Sequence, residues 1–398
     1  MAKLIYKEKI GNKRIIHIFG IKFSYKKKET ANKPNFCKIK TYIKEVLKNN
    51  NNIRKLVVIP SDPIKAYDNK GIDWLQSYYN PNRFFDEVFL LSPLEKGINY
   101  KYGMHVIGVD DKIYKKALKL IKPDVIRAYG GYWATTFAIK NKTENTPIVS
   151  SIHDDRESLF HKEVDKADYV ICMSQACANL AKNRGIPDSK IIIMPNRVDL
   201  NTFKKTIIHN KGFKKEHDKY NILSVGRLTS QKNIDNNIRA LQFLPENYSI
   251  TFVGRGSNKQ YCKLAQECGV LNRVNWIETI KNSDLPYYYS TCDVFCTPSR
   301  SEGFGIVFIE AAACNTPIIT SDIKPMNEYL THNKDSYLIK EFENPKEIAK
   351  AIKFVCENKE YSKLISNNSR LAAEKFDKRK IDKLEADIYS SIINKNKP

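Results

Sequence analysis

Short apolar runs bounded by turn residues alternate with amphipathic stretches from about residue 53 onward. In the first half RKLVVIP, EVFLLS, MHVIGV, DVIRAY, PIVSSI, ADYVICMS and KIIIMPN read as strands. KIYKKALKLI, stopped by Pro123, and WATTFAIK read as helices. Strands that are apolar at successive positions, not at alternate ones, belong to a sheet covered on both faces. The pattern predicts six or seven such strands. The polar, basic stretch 201–219 then reads as a linker. Beyond it YNILSVG, SITFVG, RVNWIE, DVFCTPS and TPIITSD are strands, and FGIVFIEAAAC and ENPKEIAKAIKFVCEN are helical. Near the end Ile381, Leu384, Ile388 and Ile392 recur at helical spacing, so a terminal helix has a face to bury. Strands alternating with helices predict an α/β protein of two Rossmann-like units facing across a cleft. Ligands of such sheets bind at the carboxyl ends of the strands.

Length agrees, since 398 residues suit two domains. The expected boundaries are a basic extension over 1–52, a first unit over 53–205, a second over 206–374, and a terminal helix over 375–398 that packs back on the first unit. No uncharged apolar run approaches 18 residues, and the start lacks the apolar core and cleavage site of a secretory signal.

Charge changes the picture more. The chain carries 67 Lys and Arg against 44 Asp and Glu, a net charge of +23. Such an excess suits an anionic partner: nucleic acid, a membrane surface or a phosphorylated substrate. Lys-rich codon usage is the competing explanation. It does not account for the clustering, because residues 1–50 hold 14 basic against 3 acidic residues. Within them RIIHIFGIKFSYKKK reads as a short hairpin or an interfacial segment next to Lys26, Lys27 and Lys28. The nine cysteines include no CxxC, and neither Cys172 with Cys177 nor Cys292 with Cys296 has a histidine cluster nearby. They read as buried free thiols of a reducing cytoplasm, without a zinc site.

Three stretches could carry chemistry. In SRSEGFGIVFIEAAACNTP, Glu302 stands in a loop and Glu310 eight residues on, along the helix. Gly303 and Gly305 between them allow close approach of a ligand to the backbone. The amides at the helix start can hold an anion or sugar oxygens, and both carboxylates can accept from hydroxyls. In SVGRLTSQKN, Arg227 and Lys232 follow a strand end, where two cations can clamp a diphosphate. FVGRGSNK, with Gly254, is a glycine turn after a strand but lacks the ending of a phosphate loop. In the first half His153, Arg127 and Asp62 stand at strand ends, where each is either structural or a ligand contact. Asn196 and Asp199 of MPNRVD are read as shaping the entry to the linker.

In this order the pieces resemble glycosyltransferase family 4 of the GT-B fold, over roughly residues 53–390. The resemblance is strongest over 165–330, through ADYVICMSQACANLAKNRGIPDSKIIIMPNRVDLNTF, SVGRLTSQKN, FVGRGS and SRSEGFGIVFIEAAACNTPIITSD. It implies a retaining transfer from a nucleotide-diphosphate sugar, most simply a UDP-sugar, to a saccharide or lipid-linked saccharide of a cell-surface polysaccharide or lipopolysaccharide. The first unit would then take the acceptor and the second the donor. Glu310 would hold the nucleotide ribose, and Glu302 the sugar hydroxyls. The amides of Phe304, Gly305 and Ile306 would face sugar and phosphate, with Gly254 nearby. Arg227 and Lys232 would hold the diphosphate, and His153 would lie against the donor sugar. Arg127 or Asp62 would touch donor or acceptor. No metal and no cofactor is implied.

Three positions depart from the family pattern: Asn233, Asn315 and Arg197 stand where glycine is usual. The glycine-rich loop after the first strand is replaced by PSDPIK. A GT-B epimerase or phosphorylase would share the clamp. A nucleic-acid-binding protein would need an aromatic-interleaved basic face, which is not found, so no nucleic acid is expected. The expected location is the cytoplasm, peripherally on the inner face of an anionic membrane.

Overall fold

The computed structural model describes residues 34–48, 52–68, 75–143, 146–154, 160–206, 212–213 and 218–396, with the backbone of 5–10, 13–18 and 21–26. The last three segments are strands β1 (Ile5–Ile10), β2 (Lys13–Ile18) and β3 (Ile21–Lys26), joined as an antiparallel sheet. The hairpin read near residue 20 is the β2–β3 pair. Lys27, Lys28 and residues 207–211 and 214–217 of the linker fall outside the described residues.

The first large sheet has eight strands: β4 (Lys55–Ile59), β5 (Glu87–Ser92), β6 (Ile98–Lys101), β7 (Met104–Gly108), β8 (Val125–Tyr129), β9 (Ile148–Ile152), β10 (Tyr169–Cys172) and β11 (Ile191–Ile193). Their order is β11-β10-β9-β8-β4-β5-β7-β6, and every pairing is parallel except β6 with β7. The second has six: β12 (Tyr220–Val225), β13 (Tyr248–Val253), β14 (Val274–Ile277), β15 (Val294–Thr297), β16 (Ile318–Ser321) and β17 (Tyr337–Ile339). These are all parallel, in the order β14-β13-β12-β15-β16-β17. Each sheet therefore reverses direction beside its first strand, between β4 and β8 in one and between β12 and β15 in the other. Crevices open at such reversals.

Burial explains why most strands were readable. In β4 Leu56 and Val58 enter one core while Val57 and Ile59 enter another on the opposite face. Both faces being covered, every position after Lys55 is apolar. Two strands escape that logic. INYK of β6 is an antiparallel edge with exposed residues, and β17 is only three residues long.

The core containing Leu56 and Val58 also takes in Leu223 and Phe295 of the second sheet and Ile381, Tyr389 and Ile392 of the terminal helix, Lys378–Lys395. That helix packs on the first unit, with the Tyr389 ring 5.1 Å from Phe85. Leu384, placed on the inward face by helical spacing, is 39% exposed. The inward face instead carries Asp382 and Glu385, both buried. Arg197 bonds to both, and Arg127 lies 3.8 Å from Glu385. Tyr389 donates to Glu385 at 2.9 Å. Burial alone would raise the Glu385 carboxyl, but Arg197, Arg127 and these hydrogen bonds hold it below the ordinary glutamate value.

This corrects the reading of Arg127 as a ligand contact. It lies within β8 at 1% exposure and serves the terminal helix. Arg197, where the family has glycine, has the same task. Its backbone needs no positive φ, whereas Asn233 and Asn315 adopt φ of 54° and 56°, a conformation Asn tolerates.

Removing one partner of a buried ion network leaves an uncompensated charge, which costs about 3–5 kcal/mol. Glu385→Ala should therefore lower unfolding free energy by that order at pH 7 in urea titrations, and Leu384→Ala by less than about 1 kcal/mol. Because the Glu385 carboxyl is depressed, its contribution is present above the unfolded glutamate value and fades as pH falls through the folded one. The gap between wild type and Glu385→Gln should narrow in acid.

Candidate active site

The second sheet supplies one wall of a crevice at its reversal point. β12 ends at Val225, and the chain turns through Gly226 into the clamp loop. A side chain at Gly226 would meet Lys232 Cε at 2.8 Å, so its bareness lets the lysine stem cross the strand end. Lys232 sits in a short turn over Ser230–Lys232 that Asn233 ends in the left-handed conformation. Its ammonium group bonds to Glu302, which also accepts from Ser299 Oγ at 2.8 Å. The loop after β15 thus delivers Glu302 to the cation that the loop after β12 delivers. Arg227 stands exposed at the end of β12.

Gly305 adopts φ +77° at the start of the Ile306–Ala313 helix, and no side chain caps that end. The first-turn amides therefore keep their capacity for an anion or oxygen ligand. Tyr329 takes the Phe304 carbonyl at 2.5 Å and fixes the turn. One turn along, Glu310 accepts from Tyr289 at 3.0 Å. Burial pushes its carboxyl up to about 7 despite that hydrogen bond.

The first sheet supplies the facing wall. His153 follows β9 and bonds through Nε2 to Ser151 Oγ at 2.7 Å. Burial first, and then the Arg127 charge, push it down to about 4, so the imidazole is neutral at pH 7. Between the walls lies a cavity of about 580 Å³. His153, Ile306 and Glu310 line it together with Ser61, Asn282 and a set of aromatic rings. Tyr79 and Tyr129 meet edge to face at 4.7 Å, and Tyr79 donates to Tyr67 at 3.2 Å. Tyr78, Tyr132 and Phe203 complete the set.

Backbone closes the crevice. A methyl group at Gly303 would lie 1.9 Å from the His153 carbonyl oxygen. Ser174 donates to the Gly303 carbonyl at 2.8 Å, and Glu328 accepts from the amides of Gln175 and Ala176, both at 2.8 Å.

The structure therefore brings His153, Ile306 and Glu310 to one cavity wall, while Glu302, holding Lys232, stands beside the Gly303 contact on His153, and Arg227, Phe304 and Gly305 are not among the lining residues. It does not bring Gly254 to the cavity wall. There a side chain would strike the Gly226 carbonyl at 1.8 Å, so that glycine serves strand packing. Ser61, not Asp62, lines the cavity after β4. Asn196 and Asp199, read as linker-shaping, are cavity-lining together with Arg197 and Lys378. The tyrosines were missed outright. Their signal was the density of Tyr at 67, 78–79, 129 and 132, each beside a strand end or turn.

Residues 81–202 match the family model described as Glycosyltransferase Family 4, and residues 205–372 match Glycosyl transferases group 1. An uncharacterized glycosyltransferase of Haemophilus influenzae is 32% identical over 164 residues, 40% of this chain. The match spans 46% of that relative's length. The N-acetylgalactosamine-N,N'-diacetylbacillosaminyl-diphospho-undecaprenol 4-alpha-N-acetylgalactosaminyltransferase of Campylobacter jejuni is 27% identical over 292 residues, 71% of this chain and 77% of its own. Among solved structures Anabaena HepE, in complex with UDP and glucose, superposes with a TM-score of 0.67 at 18% identity, over 85% of this chain and all of its own. That likeness is one of fold.

The raised Glu310 carboxyl has a measurable consequence. A carboxyl raised on folding stabilises fully below its unfolded value, and that contribution is lost as pH rises through the folded value near 7. Glu310→Gln removes the titration. Between pH 5 and pH 8 the melting temperature of the wild type should fall by a few degrees relative to that variant. Parallel curves would contradict the assigned shift.

Proposed function

Since this chain belongs to the GT-B glycosyltransferases, a family 4 unit followed by a group 1 unit, we propose a retaining transfer from a nucleoside-diphosphate sugar, a UDP-sugar, to a lipid-linked saccharide. The observation that carries it is a cavity lined by Glu310, the uncapped helix start at Ile306 and a neutral histidine, with the Lys232–Glu302 pair next to the Gly303 contact on His153. In this reading Glu310 accepts hydrogen bonds from a ribose diol. A diphosphate would draw Lys232 away from Glu302, which leaves that carboxylate to accept from the sugar hydroxyls.

In the reaction the bond from the anomeric carbon to the diphosphate oxygen breaks, and the acceptor oxygen bonds to the same face of that carbon. The acceptor proton passes to the departing diphosphate. Arg227, Lys232 and the first-turn amides stabilise the charge that grows on it. The carboxylates nearby have other tasks in this scheme: Glu302 keeps the Ser299 bond and accepts from the sugar hydroxyls, Glu310 is held by Tyr289 for the ribose, and Asp199 is held by Thr202. This supports front-face displacement over a covalent sugar–enzyme intermediate. Neither metal nor cofactor takes part in this scheme, because the protein's own cations meet the diphosphate.

The lipid-linked acceptor is supported by the diphospho-undecaprenol substrate in the name of the Campylobacter relative. It is supported also by charge on the first unit. The helices Phe36–Leu47 and Asp111–Ile121 pack together and turn Lys38, Lys40, Lys44, Lys112, Lys115 and Lys119 outward. No helix among the described residues is long and apolar enough to cross a membrane. Peripheral docking on an anionic leaflet is the proposal, and with it a place on the cytoplasmic face.

Arg227→Ala should cut transfer at least a hundredfold while the circular-dichroism melting curve stays that of wild type; full turnover would overturn the assignment. NMR of the product should show the anomeric configuration of the donor. Donor sugar changed without any acceptor would instead indicate an epimerase. In flotation with anionic vesicles the wild type should rise and the Lys115→Glu, Lys119→Glu pair should rise less. Equal flotation removes the membrane proposal alone.

A further inference from the structure

Arg300 stands two residues before Glu302 and does not line the cavity. All five of its N–H donors are nevertheless used. Nε donates to Glu343 at 2.7 Å and Nη2 to the other oxygen of the same carboxylate at 2.8 Å. Nη1 and Nη2 form a second fork on Asp235, at 2.9 and 3.0 Å. The remaining Nη1 hydrogen goes to the Ser230 carbonyl at 2.7 Å. The backbone adds to this. Arg300 N donates to the Gln231 carbonyl at 2.8 Å, and the Gln231 side chain returns a bond to the Ser301 carbonyl at 2.9 Å.

Three segments meet at this one guanidinium: the clamp loop and helix start over 229–236, the loop 298–302, and the turn 342–344. Ser230 and Gln231 are the residues immediately before Lys232. On its other side Asn233 donates to the Phe342 carbonyl at 2.8 Å, and Asn236 reaches Glu343 at 2.8 Å. The turn bearing Lys232 therefore hangs from Arg300 and from the segment that Arg300 holds. Arg300 is also fixed in sequence to Glu302.

We propose that Arg300 is the positioning residue of the diphosphate clamp: it sets the distance between Lys232 and Glu302, and so determines how strongly the site discriminates a nucleoside diphosphate from the bare nucleoside. The proposal rests on the donor-site reading above. Lysine cannot replace it, since an ammonium is a point charge and cannot make two planar forks. General damage to the second unit would weaken the ribose contact at Glu310 as well. Loss of clamp position weakens only the phosphate part.

The test compares the nucleoside diphosphate bound tightest by wild type, among UDP, GDP and ADP, with its parent nucleoside. Affinities are read by calorimetry or competition, with melting temperature alongside. Arg300→Lys should weaken the diphosphate at least tenfold and leave the nucleoside within twofold and the melting temperature within about 3 °C. Glu343→Gln and Asp235→Asn, which each spoil one fork, should show the same selective loss in smaller measure. Lys232→Ala serves as reference and should lose the same discrimination. Should Arg300→Lys keep diphosphate affinity while Lys232→Ala loses it, the positioning role is overturned and the donor site stands. Equal losses of diphosphate and nucleoside, or a collapse in melting temperature shared by all three Arg300-network variants, would reduce Arg300 to a structural residue and also overturn it. Unchanged binding in Lys232→Ala would bring down the donor-site reading itself, and this inference with it.

Discussion

The two halves of the molecule meet backbone to backbone at Gly303 and His153, and there is no room there for even a methyl group. That contact sets the width of the crevice. His153 comes from the end of a strand in one sheet, and Gly303 adjoins Glu302 from the end of a strand in the other. With the carbonyl of one seated on the α-carbon of the other, neutral imidazole and carboxylate are brought to opposite sides of a single small space. The bonds from Ser174 to Gly303 and from Glu328 to the first amides of the Gln175–Asn183 helix hold the same seam a short distance away. Every role assigned to the crevice presumes this closure.

The positive charge of the chain divides among different tasks once it is located. Lys232 and Arg227 are at a strand end where an anion would sit. Arg127 and Arg197 are spent inside the protein, on carboxylates of the terminal helix. Arg300 is spent on the loops of the clamp. Lysines of the first unit stay in solvent on a pair of adjacent helices. Among these residues arginine makes the forked contacts to two carboxylates, and lysine makes single ones, as Lys232 does to Glu302 and Lys378 to Asp382, or stays exposed. This follows from chemistry, since a planar fork satisfies two carboxylate oxygens at once whereas an ammonium remains well hydrated.

The sheets were legible because a strand covered on both faces must be apolar at nearly every position, as in LVVI of β4. β6 was not legible, since an edge strand with exposed residues looks like a loop, and β17 is too brief to carry a pattern. The wall of the crevice that the second sheet supplies was legible for a related reason. Gly303, Gly305, Glu302 and Glu310 lie in one strand–turn–helix, so their spacing in sequence is their spacing in space. The opposite wall is assembled from Ser61, Tyr67, Tyr79, Tyr129 and Asn196, which no local pattern joins. Arg127 was misjudged because a cation at a strand end resembles a ligand contact until its partner is known. Here the partner, Glu385, comes from the far end of the chain. Arg197 reaches the same carboxylate across 188 positions.

That distance orders the events of synthesis. Arg127 and Arg197 are made well before the helix over 378–395 that carries the carboxylates neutralising them. Until the terminal helix has left the ribosome, the first sheet can form but would have to bury two uncompensated guanidinium groups to complete its packing. The first unit therefore cannot complete its packing before the helix over 378–395 is made, whatever its own strands do. A premature stop before Glu385 would leave two guanidinium groups of the first half buried without their carboxylate, and the damage would arise more than 180 residues upstream of the lesion.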